Sequence, residues 1–148
     1  MSNATKILCP VDFSKGSEQA VAKAQELAKA LSAEVELLHA YQLPVLALPD
    51  SAITVSPTYV AELTDRAQAA LKKYRDELSI AGIHAHTKLL EGNPAQVITD
   101  RAAEINAAMI VMGTHGRGGF RRFLLGSVAE RVVRTATVPV LSVHLPEE

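Results

Sequence analysis

Short apolar runs alternate along the chain with apolar stripes at 3.6-residue spacing, and that alternation predicts its elements. Lys6–Val11, KILCPV, is apolar and closes on Asp12-Phe13-Ser14, which predicts a buried first strand. Ser14 can cap the helix that follows, where Ala20, Ala24, Leu27, Ala28 and Leu31 recur opposite Lys23, Glu26 and Lys29. Val35–Tyr41 is the second strand, with Glu36 near its exposed beginning. A long helix is expected from Thr58 to Ala81, its stripe made by Val60, Leu63, Ala67, Ala70, Leu71, Tyr74 and Leu78, and Gly82 ends it. Ile83–Leu90 reads as the third strand. Asn93-Pro94 is a cap followed by proline at the first helical position, and Ala95, Ile98, Ala102 and Ile105 mark the third helix. The fourth strand follows from Ala107, the fourth helix runs from Ser127 to about Thr135, and Val138–Val143 is the fifth strand. Pro139 within that run points to a sheet edge, because proline cannot donate to a ladder.

Between the second strand and the long helix the pattern dissolves. Gln42–Pro57 holds Pro44, Pro49 and Pro57 among scattered apolar residues, so regular structure is not expected there. Such an excursion serves either as a lid or contact surface, or as cover for an exposed helix or edge.

Five strands alternating with four helices predict an α/β fold: a five-stranded parallel sheet with right-handed crossovers and helices on both faces. A length of 148 residues suits a single domain over 1–148. Fifteen basic against sixteen acidic side chains leave a net charge of −1, with no general attraction to nucleic acid or an acidic membrane surface. The single cysteine, Cys9, excludes an internal disulfide and reads as an inert thiol in a buried strand. No apolar run approaches the ~18 residues of a membrane span, and the N-terminus lacks the regions of a signal peptide, so a cytoplasmic location without membrane insertion is expected.

The chemistry concentrates in Met109–Thr135. The run Met109-Ile110-Val111-Met112 stops at Gly113, and a stretch rich in glycine and arginine leads to Gly126-Ser127. Ser127 with Glu130 three residues on has the pattern of a capping box. The N–H groups of a helix start attract anions, and glycine lets backbone come close to them. The Walker pattern is absent, since no lysine separates Gly126 from Ser127, and the dinucleotide fingerprint fails at Arg121. Asp12 falls where the first strand ends, the side of a parallel sheet on which ligands bind; it suits a turn or capping carboxylate, or an acceptor for ribose hydroxyls. His84 and His86 share a strand face in the manner of a metal pair, but no Cys, Asp or Glu at useful spacing joins them, and a solvated pair is the simpler expectation.

Gly113-x2-Gly116, nine residues, then Gly126-Ser127 is a G-x2-G-x9-G-[ST] pattern, and with it the sequence resembles the ATP-binding branch of the universal stress protein family. The opening strand ending Val11-Asp12 and the closing Val138-Pro139-Val140-Leu141 extend the resemblance over almost the whole chain. It implies an adenine nucleotide alpha hydrolase-like sheet of order 3-2-1-4-5, in which Asp12 and the glycine stretch meet at one crevice. It further implies an ATP site: Asp12 toward ribose, Pro10, Val11, Ala40 and Met112 around adenine, and Gly113, Gly116, Arg117 and Gly126 around phosphates. Ser127, Val128 and Ala129 would offer a hydroxyl and helix N-terminal N–H groups. A divalent ion, Mg2+ or Mn2+, would be held by the phosphates and water. Arg121 and Arg122 either screen phosphates or solvate the loop. The implied role is a nucleotide-responsive stress or regulatory protein with a protein partner of unknown identity, homodimeric through the 138–143 edge. Slow ATP hydrolysis or phosphotransfer at the same site, and a dimeric interaction module with an empty site, are the alternatives.

Overall fold

The computed structural model describes residues 4–43, 46–48, 51–53, 56–114 and 126–145. In chain order its elements are β1 (Lys6–Pro10), α1 (Lys15–Leu31), β2 (Glu34–Tyr41), β3 (Leu46–Leu48), β4 (Ser51–Ile53) and α2 (Pro57–Ile80). Then come β5 (Ala85–Glu91), α3 (Pro94–Glu104), β6 (Met109–Gly113), α4 (Ser127–Thr135) and β7 (Val140–Val143). The main sheet has the order β5-β2-β1-β6-β7, and every neighbouring pair in it is parallel. This is the expected 3-2-1-4-5 arrangement, with β7 and its preceding Pro139 at one edge.

The alternating side chains of the strands feed two separate cores. Ile7, Cys9, Val35, Leu37 and Val111 point to the face covered by α1 and α2, against Ala20, Ala24, Leu71 and Leu78. Leu8, Leu38, Ile110 and Met112 point to the other face, against Ala95, Ile98 and Ala102 of α3 and Ala129 and Val132 of α4. Ile7, Leu8 and Cys9 are wholly buried because β1 is flanked by strands on both sides and helices on both faces. Burying a side chain such as Leu8 is worth about 1.5–3 kcal/mol. In α1 the buried stripe is Ala20, Val21, Ala24 and Ala28, small residues that let the helix lie close to the sheet; Leu31, expected within it, is exposed.

Local chemistry sets the element ends. The side chains of Ser14, Ser56 and Asn93 accept from the N–H groups of Ser17, Tyr59 and Gln96, capping α1, α2 and α3. At the end of α2, Gly82 adopts φ +85, its N–H reaches Ser79 C=O at 3.0 Å, and Ile83 N–H reaches Leu78 C=O at 2.9 Å. These paired bonds satisfy two of the last carbonyls of the helix. On the α3 face, Arg101 grips Glu36 of β2 with two 2.7 Å hydrogen bonds, which hold its guanidinium pKa further up.

Three expectations are corrected. Gln42–Pro57 contains a short antiparallel hairpin, β3 with β4, whose three-residue strands are too brief to show a period of two in sequence. The last strand starts at Val140 rather than Val138, and Pro139 instead supplies a carbonyl to Ile110 N–H at 2.9 Å. The Ser127–Glu130 capping box does not form. Gly126 is the capping residue, which makes Ser127 the first helical residue and Glu130 the fourth, one place too far to reach back; Glu130 pairs with Arg134 instead.

Candidate functional site

The strand order reverses between β1 and β6, since α1 carries the chain to one side of β1 and β6 lies on the other. Crevices of this kind, at the carboxyl ends of parallel strands, are where such sheets hold ligands. The first wall grows from the end of β1. Val11 N–H completes the ladder by donating to Leu38 C=O at 2.8 Å, and the chain then turns through Phe13 at φ +65. A non-glycine residue in that region costs roughly 1–2 kcal/mol. A polar network holds the turn. Oδ1 of Asp12 accepts from Ser14 N–H at 3.1 Å, from the Ser14 hydroxyl and from the Ser17 hydroxyl at 2.7 Å, while Asp12 N–H donates to Ser17 Oγ at 2.8 Å. Ser17 is buried, and both its donor and its acceptor capacity are used by Asp12. The capping-turn role of Asp12 is thus present in the fold, and it fixes the carboxylate at the mouth of the crevice.

Beside this turn stands an aromatic group that sequence reasoning missed. The ring of Phe13 lies 4.6 Å from that of His39 and stacks at 6.3 Å on Tyr74 of α2. His39 Nδ1 is 2.8 Å from Val11 C=O, and a carbonyl only accepts, so Nδ1 carries the hydrogen and orients the ring. Burial, then the charges of Glu18 and Glu77, push the Tyr74 hydroxyl pKa up. The sequence signal, a phenylalanine next to Asp12 and a histidine next to Ala40, is too sparse to find without the β1–β2 pairing.

The opposite wall comes from β6 and α4. A Cβ at Gly113 would stand 2.9 Å from Gly16 C and O, so the glycine lets the first turn of α1 rest on the end of β6. Thr114 follows, buried, its N–H donating to Val143 C=O at 3.1 Å. The chain re-enters at Gly126, whose N–H donates to Thr114 C=O at 2.6 Å. The first intrahelical bond of α4 runs from Glu130 N–H to Gly126 C=O at 2.9 Å, so the N–H groups of Ser127, Val128 and Ala129 lie ahead of it. With the helix dipole they form a positive pole.

Asp12 and the Gly113–Thr114–Gly126 junction therefore meet at one end of the sheet. Pro10, Val11 and Met112, at the carboxyl ends of β1 and β6, are buried, and Ala40, near the end of β2, is half-buried. Gly116 and Arg117, with His115, Arg121 and Arg122, lie outside the described residues.

The sequence model of the universal stress protein family matches residues 3–144. The chain belongs to the universal stress protein family. It is 40% identical over 145 residues to universal stress protein MJ0531 of Methanocaldococcus jannaschii, an alignment covering 97% of this chain and 84% of that protein. Among solved structures, MJ0577 of the same organism superposes with a TM-score of 0.80 at 26% identity, covering 97% of this chain and 98% of the other. A universal stress protein solved in complex with cAMP gives a TM-score of 0.71 at 26% identity, with coverage of 97% and 98%. The Archaeoglobus fulgidus universal stress protein solved in complex with dAMP gives 0.68 at 26% identity, with coverage of 93% and 96%.

For this universal stress protein the arrangement offers two complementary fixtures a strand apart: an immobilised carboxylate suited to neutral donors such as hydroxyls, and a helix pole suited to an anion. Among the described residues no helix is long and apolar enough to cross a membrane.

Proposed function

We propose that this universal stress protein binds an adenine nucleotide, with ATP as the ligand, in the β1/β6 crevice and acts as a nucleotide-responsive regulatory protein. The observation that carries the reading is the convergence of the Asp12–Ser14–Ser17 network and the start of α4 at the switch point of the sheet. The cAMP and dAMP complexes of similar proteins support it. In this reading Asp12 accepts from the ribose, and Pro10, Val11, Ala40 and Met112 border the adenine. Gly113, Gly116, Arg117 and Gly126 surround the phosphates, toward which Ser127, Val128 and Ala129 direct a hydroxyl and N–H groups. Mg2+ or Mn2+ is carried by the phosphates. Nucleotide binding then biases the surface around α4 that a partner protein reads. The chain functions as one cytoplasmic domain and pairs with a second copy along the β7 edge, where Leu141 and nearby Val133 and Leu145 are exposed.

Thermal unfolding of nucleotide-free protein, titrated with Mg-ATP, tests the site. At 100 times Kd the ligand adds roughly 2.7 kcal/mol, a rise of about 5–10 °C for a domain of this size. The control is Gly126→Val. Gly126 sits at φ −62, ψ 159, a backbone open to any residue, so the substitution demands no new backbone conformation. The rise is expected to vanish in that variant, and no rise in the parent protein removes the nucleotide reading.

A further inference from the structure

At the end of the sheet opposite the crevice, strand pairing assembles a group that the sequence keeps apart. Val35 pairs with Ala85, and Val35 N–H donates to His84 C=O at 3.0 Å, which sets Glu34 across from His84. Residues two apart on a strand share a face, so His84 and His86 stand on the side toward which Glu34 also points. Their rings meet edge to face with centroids 4.5 Å apart, and His86 Nε2 is 3.9 Å from Glu34 Oε2. One ligand atom from each of the three residues lies within 4.8 Å of the other two. The expectation that no carboxylate joins the histidine pair is thus corrected: Glu34 precedes them by some fifty positions and arrives through β2.

We propose that Glu34, His84 and His86 form a surface site for a divalent transition-metal ion, with Zn2+ as the fitting case. Two imidazoles and one carboxylate are a donor set for Zn2+ and its neighbours in the first transition series, whereas Mg2+ and Ca2+ prefer oxygen alone. Bonds of about 2.0–2.1 Å in a tetrahedron bring ligand atoms to roughly 3.3 Å from one another. From within 4.8 Å of one another the ligand atoms have little distance to close, and both imidazoles are exposed. Water completes the coordination.

The surrounding charges divide the labour between two carboxylates. Glu36, on the same face of β2, is held by both arms of Arg101 and is not available as a ligand. Among the described residues Glu34 forms no ion pair with a lysine or arginine, although Lys6 is its register neighbour on β1. A bound ion ties the amino end of the edge strand β5 to β2, which hydrogen bonds hold from one side only.

The test is Zn2+ titration of the full chain, free of nucleotide, against a chromophoric chelator, with the histidine ring resonances followed by NMR. The expected result is one ion per chain without change of oligomeric state, broadening or shifting of the His84 and His86 signals, and a higher melting temperature. His84→Ala and His86→Ala should each weaken binding by about tenfold or more, and Glu34→Gln by less, while their metal-free melting temperatures stay at the parent value. His86→Gln, close in size, is the second variant should alanine perturb the strand. Absence of binding, stoichiometry unchanged in the His84/His86 double variant, or shifts confined to His39 or His144 would each overturn the proposal.

Discussion

The backbone N–H of Gly126 donates to the carbonyl of Thr114 at 2.6 Å, so the residue that follows β6 and the residue that caps α4 are joined directly. That hydrogen bond places the helix start beside the end of β6. It also commits one N–H of the glycine pattern to the protein, while the N–H groups of Ser127, Val128 and Ala129 lie ahead of the first intrahelical bond of α4.

Proline at position 126 tests the junction. The φ of −62 already matches proline, so Gly126→Pro removes the donor without demanding a new φ there. Gly126→Pro is expected to destabilise by about 1–3 kcal/mol relative to Gly126→Ala in urea unfolding. Equal stability of the two variants would show that the bond contributes nothing.

Gly113 is a packing glycine. A methyl group at 2.9 Å from the Gly16 backbone has no flexible neighbour to displace, so Gly113→Ala must push α1 off β6. The expected loss is about 1–3 kcal/mol, read as a lower urea midpoint at unchanged slope. A variant as stable as the parent protein would mean that the helix start yields more readily than its packing implies.

Ser17→Ala strikes the network under Asp12. The substitution removes the acceptor of Asp12 N–H and one donor to Asp12 Oδ1, both in part-buried contacts. We expect about 1–3 kcal/mol of destabilisation, together with weaker Mg-ATP binding, because the carboxylate loses one of the bonds that aim it. Unaltered nucleotide affinity at reduced stability would separate the turn from the site.

Cys9 makes stability pH-dependent on the alkaline side. Burial pushes its thiol pKa from 9.0 up to about 12, so in the folded protein it keeps its proton after the unfolded chain has released it. Below pH 9.0 the two states hold the same proton and nothing changes; between 9.0 and about 12 stability falls as pH rises. The slope from this group approaches about 1.4 kcal/mol per pH unit. Cys9→Ala should start less stable and decline less steeply over that window, which urea midpoints at stepped pH would measure. A parallel decline would assign the alkaline loss to other groups.

What could be read in the sequence was what local chemistry dictates. Asn93-Pro94 and Gly82 marked helix ends because capping depends on a few adjacent residues, and β1, α1 and α2 were visible through their period. The hairpin at Leu46–Ile53 escaped because three residues carry too little pattern. The range of α4 was legible, but its cap was assigned to Ser127 rather than Gly126, because both residue types suit a cap and the sequence does not choose between them. Glu34 beside His84 and His86, and Phe13 between His39 and Tyr74, depend on strand pairing and helix docking between distant segments. For the crevice, the turn role of Asp12 was among the readings of the sequence and is present in the fold, whereas the seating of α1 on Gly113 depends on contact between distant segments.

The central position of β1 has a consequence for how the chain is made. Its partner β6 begins at Met109, so a nascent chain emerging from a ribosome holds Ile7, Leu8 and Cys9 along an open edge until about three quarters of the sequence has been synthesised. An interrupted product ending before Met109 would expose that edge permanently and be a ready template for aggregation.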